Sequence, residues 1–304
     1  MIDVLLSAVL PVFALMAIGF GLGRTGLFDR AMAAAVNRFV FLVSAPALIF
    51  GLLARSPFDQ FNWFALAAFV SIELVMYGAG FVVARHMFGR GTKEALLIGL
   101  VTAFANHLLF VLPIAVTLFG ESAATPIVAI ATVDALFIYG GTLVLMDVMS
   151  DTGASLTRVA RAFSKNPQIL ATIAGLVVGV SGVGLADGLV IFTKFAGGTA
   201  APCALFALGV VLSQREGKTG LMLPLTIGGL KLVAYPLLCF GLIVGAMDVA
   251  LDWAKPALMV AAAPGSAMAL VLAINYQVPA NAIARILLIT MIGSLLTVTF
   301  ISGI

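Results

Sequence analysis

The chain has 304 residues, of which 62% are hydrophobic and only 10% charged, with a formal net charge of +3; its mean hydropathy is +1.20. Soluble domains are roughly half apolar and a quarter charged. These values therefore exclude a water-soluble enzyme and require a bilayer as the solvent.

A hydrocarbon core of about 30 Å is crossed by about 20 apolar residues in a helix, and the charged clusters divide the chain into ten stretches of that length. They run Val4 to Gly23, Ala31 to Ala54, Phe61 to Ala84, Ala95 to Phe119, Thr125 to Met149, Pro167 to Leu185, Leu189 to Leu212, Leu221 to Met247, Pro256 to Ile274 and Ala282 to Ile304. The first, which follows Met1-Ile2-Asp3, lacks the basic start and small-residue cleavage site of a removed signal and is expected to be a span. Cys203 and Cys239 fall inside spans without the partner spacing of a disulfide framework or zinc site, and are expected to be packing residues.

Basic residues alternate between loops. Arg24, Arg30, Arg85, Arg90, Lys93, Arg158, Arg161, Lys165, Arg215 and Lys218 flank one set of connections, and Arg55, Lys194 and Lys255 flank the other. With an even number of spans, that asymmetry predicts both termini outside the cytoplasm. It also reads the net positive charge as membrane orientation rather than affinity for nucleic acid.

At a shift of 156 the chain matches itself without a gap. Pro11 meets Pro167, Gly19 meets Gly175, Gly23 meets Gly179, Gly26 meets Gly182, Arg38 meets Lys194, Ala45-Pro46 meets Ala201-Pro202 and Phe50 meets Phe206. The organisation expected is a first five-helix repeat over 1–150, a cytoplasmic linker over 151–166 and a second repeat over 167–304. An odd number of spans per half inserts the second from the opposite side, and folds of that kind bind cargo near the midplane.

Spans four and nine carry mid-depth interruptions, Asn106-His107 up to Pro113 in one and Ala263-Pro264-Gly265-Ser266 in the other. Proline lacks an N–H and clashes with the preceding turn, so the carbonyls of Leu109 and Val260 are expected to be freed. Irregular backbone at that depth survives only against protein or a watery cavity. Half-helix starts there attract anionic groups, and freed carbonyls hold cations. The alternative is that the prolines only kink packed helices, as for Pro46, Pro202 and Pro236.

Glu73, Asp134 and Lys231 lie at depths where an isolated charge is costly and requires partners. Lys231 is a candidate for attracting an organic anion or holding the crossover, and Glu73 and Asp134 are candidates for proton or cation coupling. The competing reading is a structural ion pair inside the bundle, or a deprotonated lysine hydrogen-bonded to free carbonyls. His107 is a candidate proton carrier, with a hydrogen-bonded structural role as its alternative. His86 is the other histidine, so no histidine cluster for a metal is expected, and no cofactor beyond a coupling proton or sodium ion. A shift of 151 sets Asp134 against Arg285 and Pro113 against Pro264. Arg285 and Arg38 are expected to snorkel, and Asp147 and Asp151 to be cytoplasmic helix-end residues.

Several of these runs resemble the auxin efflux carrier family, which includes bacterial malonate transporters and the plant auxin exporters. The resemblance rests on Lys165-Asn166-Pro167 followed by Gly175, the run Ala201-Pro202-Cys203-Ala204-Leu205-Phe206-Ala207-Leu208-Gly209, Lys231 with Pro236, Asn106 with Pro113, Leu118-Phe119-Gly120-Glu121, and Ala263-Pro264-Gly265 with Ala273 and Tyr276. Met268 stands where family members often carry asparagine, and the long loop of the plant proteins is absent. The resemblance implies an all-α polytopic fold of ten transmembrane helices, a five-plus-five inverted repeat with broken crossover helices like those of sodium/proton antiporters and bile-acid symporters. It further implies elevator-like transport of a small organic anion such as malonate, a homodimer and a place in the cytoplasmic membrane. A sodium-coupled symporter of the bile-acid type is the alternative. An intramembrane enzyme is disfavoured, because Asp134 and Asp147 are thirteen residues apart, about 20 Å along one helix.

Overall fold

The computed structural model describes residues 8–149, 164–213 and 220–303. The linker up to residue 163, with Asp151, Arg158 and Arg161, lies outside the described residues, as do Met1 to Asp3, Arg215 and Lys218. Among the described residues the structure is helical, apart from turns and one isolated β-bridge.

In chain order the helices are α1 (Leu10–Thr25), α2 (Arg30–Leu53), α3 (Trp63–Met87), α4 (Thr92–Ala103), α5 (His107–Phe119), α6 (Glu121–Val148), α7 (Pro167–Ser181), α8 (Asp187–Ser213), α9 (Met222–Ala246), α10 (Leu251–Ala262), α11 (Met268–Asn275) and α12 (Asn281–Ser302). Six of them, α2, α3, α6, α8, α9 and α12, are long and apolar enough to cross a membrane. Large apolar side chains such as Ile191 (68%), Phe195 (81%) and Leu296 (78%) are exposed, as expected where hydrocarbon is the solvent.

Local chemistry fixes several helix starts. Asn166 caps α7 by accepting from Gln168 N–H (3.0 Å) and Ile169 N–H (3.3 Å), and Pro167 occupies the first turn, where a missing N–H costs nothing. Asp29 and Asn62 cap α2 and α3 in the same way.

Proline inside a helix has a different outcome from the one expected. Pro46, Pro113 and Pro236 each follow a π turn by two residues, the turns being Val40–Ser44, His107–Val111 and Leu230–Ala234. In each, the N–H of the residue before the proline reaches back five positions: Ala45 to Val40, Leu112 to His107 and Tyr235 to Leu230. A widened turn gives the pyrrolidine ring room against the previous carbonyls, so the helix continues without a break. Pro113 therefore behaves like Pro46 and Pro236, and the interruption in this region lies upstream of it.

Small residues set the closest helix contacts. A Cβ on Gly19 would strike the Phe206 carbonyl and one on Gly209 the Met16 carbonyl, which seals α1 against α8. On α7, a Cβ on Gly175 would stand 2.8 Å from Leu53 Cβ and 3.2 Å from the Phe50 carbonyl, and one on Gly179 2.5 Å from the Leu53 carbonyl, which seals α7 against α2. Ser44 and Thr199 join α2 to α8 by a hydroxyl hydrogen bond of 2.7 Å. Such small-residue seams are how helices associate where no hydrophobic driving force separates helix from lipid. Gly209→Val is expected to destabilise the protein by about 1–3 kcal/mol, read as a lowered thermal midpoint in detergent, whereas Gly198→Ala, with open space beside it, should leave the midpoint in place.

Candidate functional site

Two helices are interrupted and then resume. α4 ends at Ala103 and α5 begins at His107; α10 ends at Ala262 and α11 begins at Met268. Between them Phe104 and Ala263 are extended, with φ/ψ of −69°/113° and −77°/162°. The two irregular segments pair with each other as an antiparallel bridge, Ala105 opposite Gly265. Asn106 N–H donates to the Pro264 carbonyl (3.2 Å), and Ser266 N–H donates to the Phe104 carbonyl (2.9 Å).

Neighbouring helices absorb further loose ends. Lys231 Nζ donates to the Ala103 carbonyl (3.0 Å), Thr297 Oγ1 donates to the Ala262 carbonyl (2.8 Å), and Gly265 N–H donates to Thr290 Oγ1 (3.4 Å). The Val260 carbonyl, expected to be free, accepts from Ala263 N–H (3.3 Å). Only glycine fits at 265, since a Cβ there would lie 2.6 Å from both the carbonyl and Cγ2 of Val101. Pro113 sits at the second position of the α-helical part of α5, seven residues past Asn106 and away from the interruption.

A cleft of about 820 Å³, counting its mouth, adjoins the crossing. Phe104, Asn106, His107, Ser266 and Met268 line one side, and Ile49 of α2 and Thr172 of α7 line the other. Its polar groups also include Thr132, Tyr139 and Gln168. Among the described residues the cleft lining contains no lysine or arginine. Positive potential comes instead from the start of α5, whose first N–H groups have no intrahelical acceptor.

Behind the crossing lies a buried charged cluster. Glu73, Asp134 and Lys231 have no exposed surface, and His107 has 4%. Glu73, His107 and Asp134 each place one atom within 4.8 Å of the others. His107 Nε2 is 2.6 Å from Asp134 Oδ2, a close contact without in-line hydrogen-bond geometry. Lys231 Nζ also stands 4.4 Å from the centre of the Tyr235 ring.

Comparison with known proteins agrees with a membrane carrier. The sequence pattern that defines the family described as "Membrane transport protein" matches residues 4–302. The chain belongs to this family, the auxin efflux carrier family. A protein of Rhizobium meliloti (strain 1021) named "Putative malonate transporter" is 28% identical to this transporter over 305 aligned positions, covering 96% of this chain and 92% of the relative. The transporter is thus a membrane transport protein and not an enzyme.

Of the residues expected from sequence, Asn106, Pro264, Gly265 and Ser266 meet at the crossing, and His107, Glu73, Asp134 and Lys231 meet behind it. Arg38 is exposed and Arg285 is half-buried on α12, and Asp147, expected at a helix end, is the last residue but one of α6 and is buried. Thr290, Thr297 and Tyr235 escaped notice, being ordinary residues in apolar runs whose roles appear only when the helices pack. Gly265→Ala is expected to force the crossing apart at a cost of about 1–3 kcal/mol, measured as a fall in thermal midpoint larger than that of Ala267→Gly.

Proposed function

We propose that this transporter is a secondary carrier that moves a small organic anion, malonate or a related carboxylate, through an elevator-like alternating-access cycle. The observation that carries the reading is the mutual pairing of two interrupted backbone segments beside a cleft. Irregular backbone at membrane depth is tolerated only where protein or a cavity satisfies it, and helix starts aimed into such a cavity favour an anion. Asn106, His107, Ser266 and Gly265 contribute to the site on this reading, Pro264 offers its carbonyl to the crossing, and Lys231 holds it. The printed name of the Rhizobium meliloti relative suggests the carboxylate.

In this proposal the chain crosses the membrane ten times: the six long helices, α1, α7, and the two interrupted pairs α4–α5 and α10–α11. Residues 1–150 and 167–304 form oppositely inserted halves joined by the cytoplasmic linker 151–166, with both termini outside the cytoplasm. Reciprocal contacts support the inversion. Gly19 faces Phe206, and their partners at a shift of 156, Gly175 and Phe50, face each other. The glycine seams of α1, α2, α7 and α8 suit a fixed scaffold, in a homodimer in the cytoplasmic membrane, against which the crossing helices slide.

The test is counterflow of labelled malonate in proteoliposomes. Asn106→Ala and Lys231→Ala are each expected to lower the initial rate by roughly 10–100-fold, the equivalent of one lost hydrogen bond to a charged group or one orphaned buried partner, while eluting from a sizing column like the parent. Unchanged rates in both variants would remove the crossing from the cargo site. Strict dependence on a sodium gradient would instead favour the bile-acid type of symporter.

A further inference from the structure

We propose that Glu73, His107 and Asp134 form a binding site for one exchangeable proton, and that this proton, balanced against Lys231, couples the crossing to a proton gradient. The coupling rests on the transport reading above; the proton site itself does not.

Three helices bring the groups together. Glu73 lies midway along α3, His107 is the first residue of α5, and Asp134 opens the π turn Asp134–Tyr139 of α6. Such π turns shift a side chain out of the regular helical register and recur at functional sites. Lys231 enters from the π turn of α9, and Tyr235 and Cys239 of the same helix complete the titratable groups facing the cluster among the described residues.

The hydrogen-bond inventory calls for a proton. Both carboxylate oxygens of Glu73 and both of Asp134 are buried with no N–H or hydroxyl donor bonded to them among the described residues, and the two carboxyls lie within hydrogen-bond reach of each other. Carboxylates only accept, so two of them in mutual reach bond to each other only when one holds a hydrogen. Charge counting gives the same answer. The Lys231 ammonium balances one carboxylate, and the second is left as a bare negative charge in a water-free interior unless a proton neutralises it. With one proton aboard, placed on a carboxyl or shared with His107, the cluster is neutral; with none it carries one net negative charge.

The cluster also has a connection to the cargo. His107 lines the cleft on one side and touches Asp134 on the other. Lys231 is bonded to the Ala103 carbonyl, the last of α4 before the interruption. Loss of the proton therefore pulls on Lys231, and through it on the half-helix end that frames the cleft. A neutral cluster can cross the hydrocarbon with the moving helices, whereas a charged one is held where water reaches it.

Infrared difference spectroscopy of the purified protein between acidic and alkaline buffer, in choline chloride, tests the site without any cargo. The expected result is one titrating carbonyl stretch from a buried protonated carboxyl, abolished or displaced in both Glu73→Gln and Asp134→Asn, and displaced in His107→Gln should either of the former fail to fold. Absence of that band at every pH, its persistence in the variants, or its removal by sodium chloride at fixed pH would each overturn the proposal, the last in favour of a sodium site. In proteoliposomes, an imposed gradient of about one pH unit should concentrate labelled malonate about tenfold if one proton accompanies each cycle. Malonate that exchanges by counterflow but ignores that gradient would overturn the coupling. If malonate does not exchange at all, the cargo reading fails and the infrared result still decides the proton site.

Discussion

A polypeptide in hydrocarbon has nowhere to send an unpaired N–H or C=O except to another part of itself, and each one left over costs several kcal/mol. The pairing of Ala105 with Gly265 meets that constraint at the point where it is most severe. Two interrupted helices satisfy each other with a pair of main-chain hydrogen bonds, and the carbonyls of Ala103 and Ala262 go to Lys231 and Thr297. Neither interruption is tolerable without the other. The crossing therefore acts as a unit: whatever moves α4 and α5 must take α10 and α11 along.

The same requirement explains which features were legible in the sequence. Apolar stretches, their glycines and their prolines are one-dimensional signals, and the glycines whose shared register marked the repeat, Gly19, Gly23, Gly175 and Gly179, lie at close helix contacts. Buried charges were legible too, since Glu73, Asp134 and Lys231 stand out against their neighbours. Their convergence with His107 was not, because it depends on how α3, α5, α6 and α9 turn about their axes. The group that meets Asp134 is His107, from a different helix.

Proline was the misleading signal. Pro113 and Pro264 both suggest a break at the residue, yet Pro113 is absorbed by a π turn as Pro46 and Pro236 are, while Pro264 lies inside an interruption. What decides between the outcomes is not the ring but the partner. Pro264 offers its carbonyl to Asn106 and is followed by a glycine that lets Val101 approach, whereas Ala105, the centre of the other interruption, has no sequence mark at all. An alanine leaves the helix there because a second backbone is waiting to pair with it.

The distribution of tight and loose contacts around this crossing bears on how it can move. Glycines bring α1 onto α8 and α2 onto α7 with no room for a methyl group, so sliding within either pair would meet backbone at once. On the cleft side, by contrast, the crossing faces α2 and α7 through separated side chains such as Ile49, Thr172 and Met268. Packed seams are bistable or rigid, and open ones permit displacement. In the proposed cycle, motion therefore belongs to the boundary between crossing and scaffold, along which the cleft lies. His107 is set on that boundary with Asp134 at its back, so a change in charge behind the crossing is felt first at the surface that would have to slip.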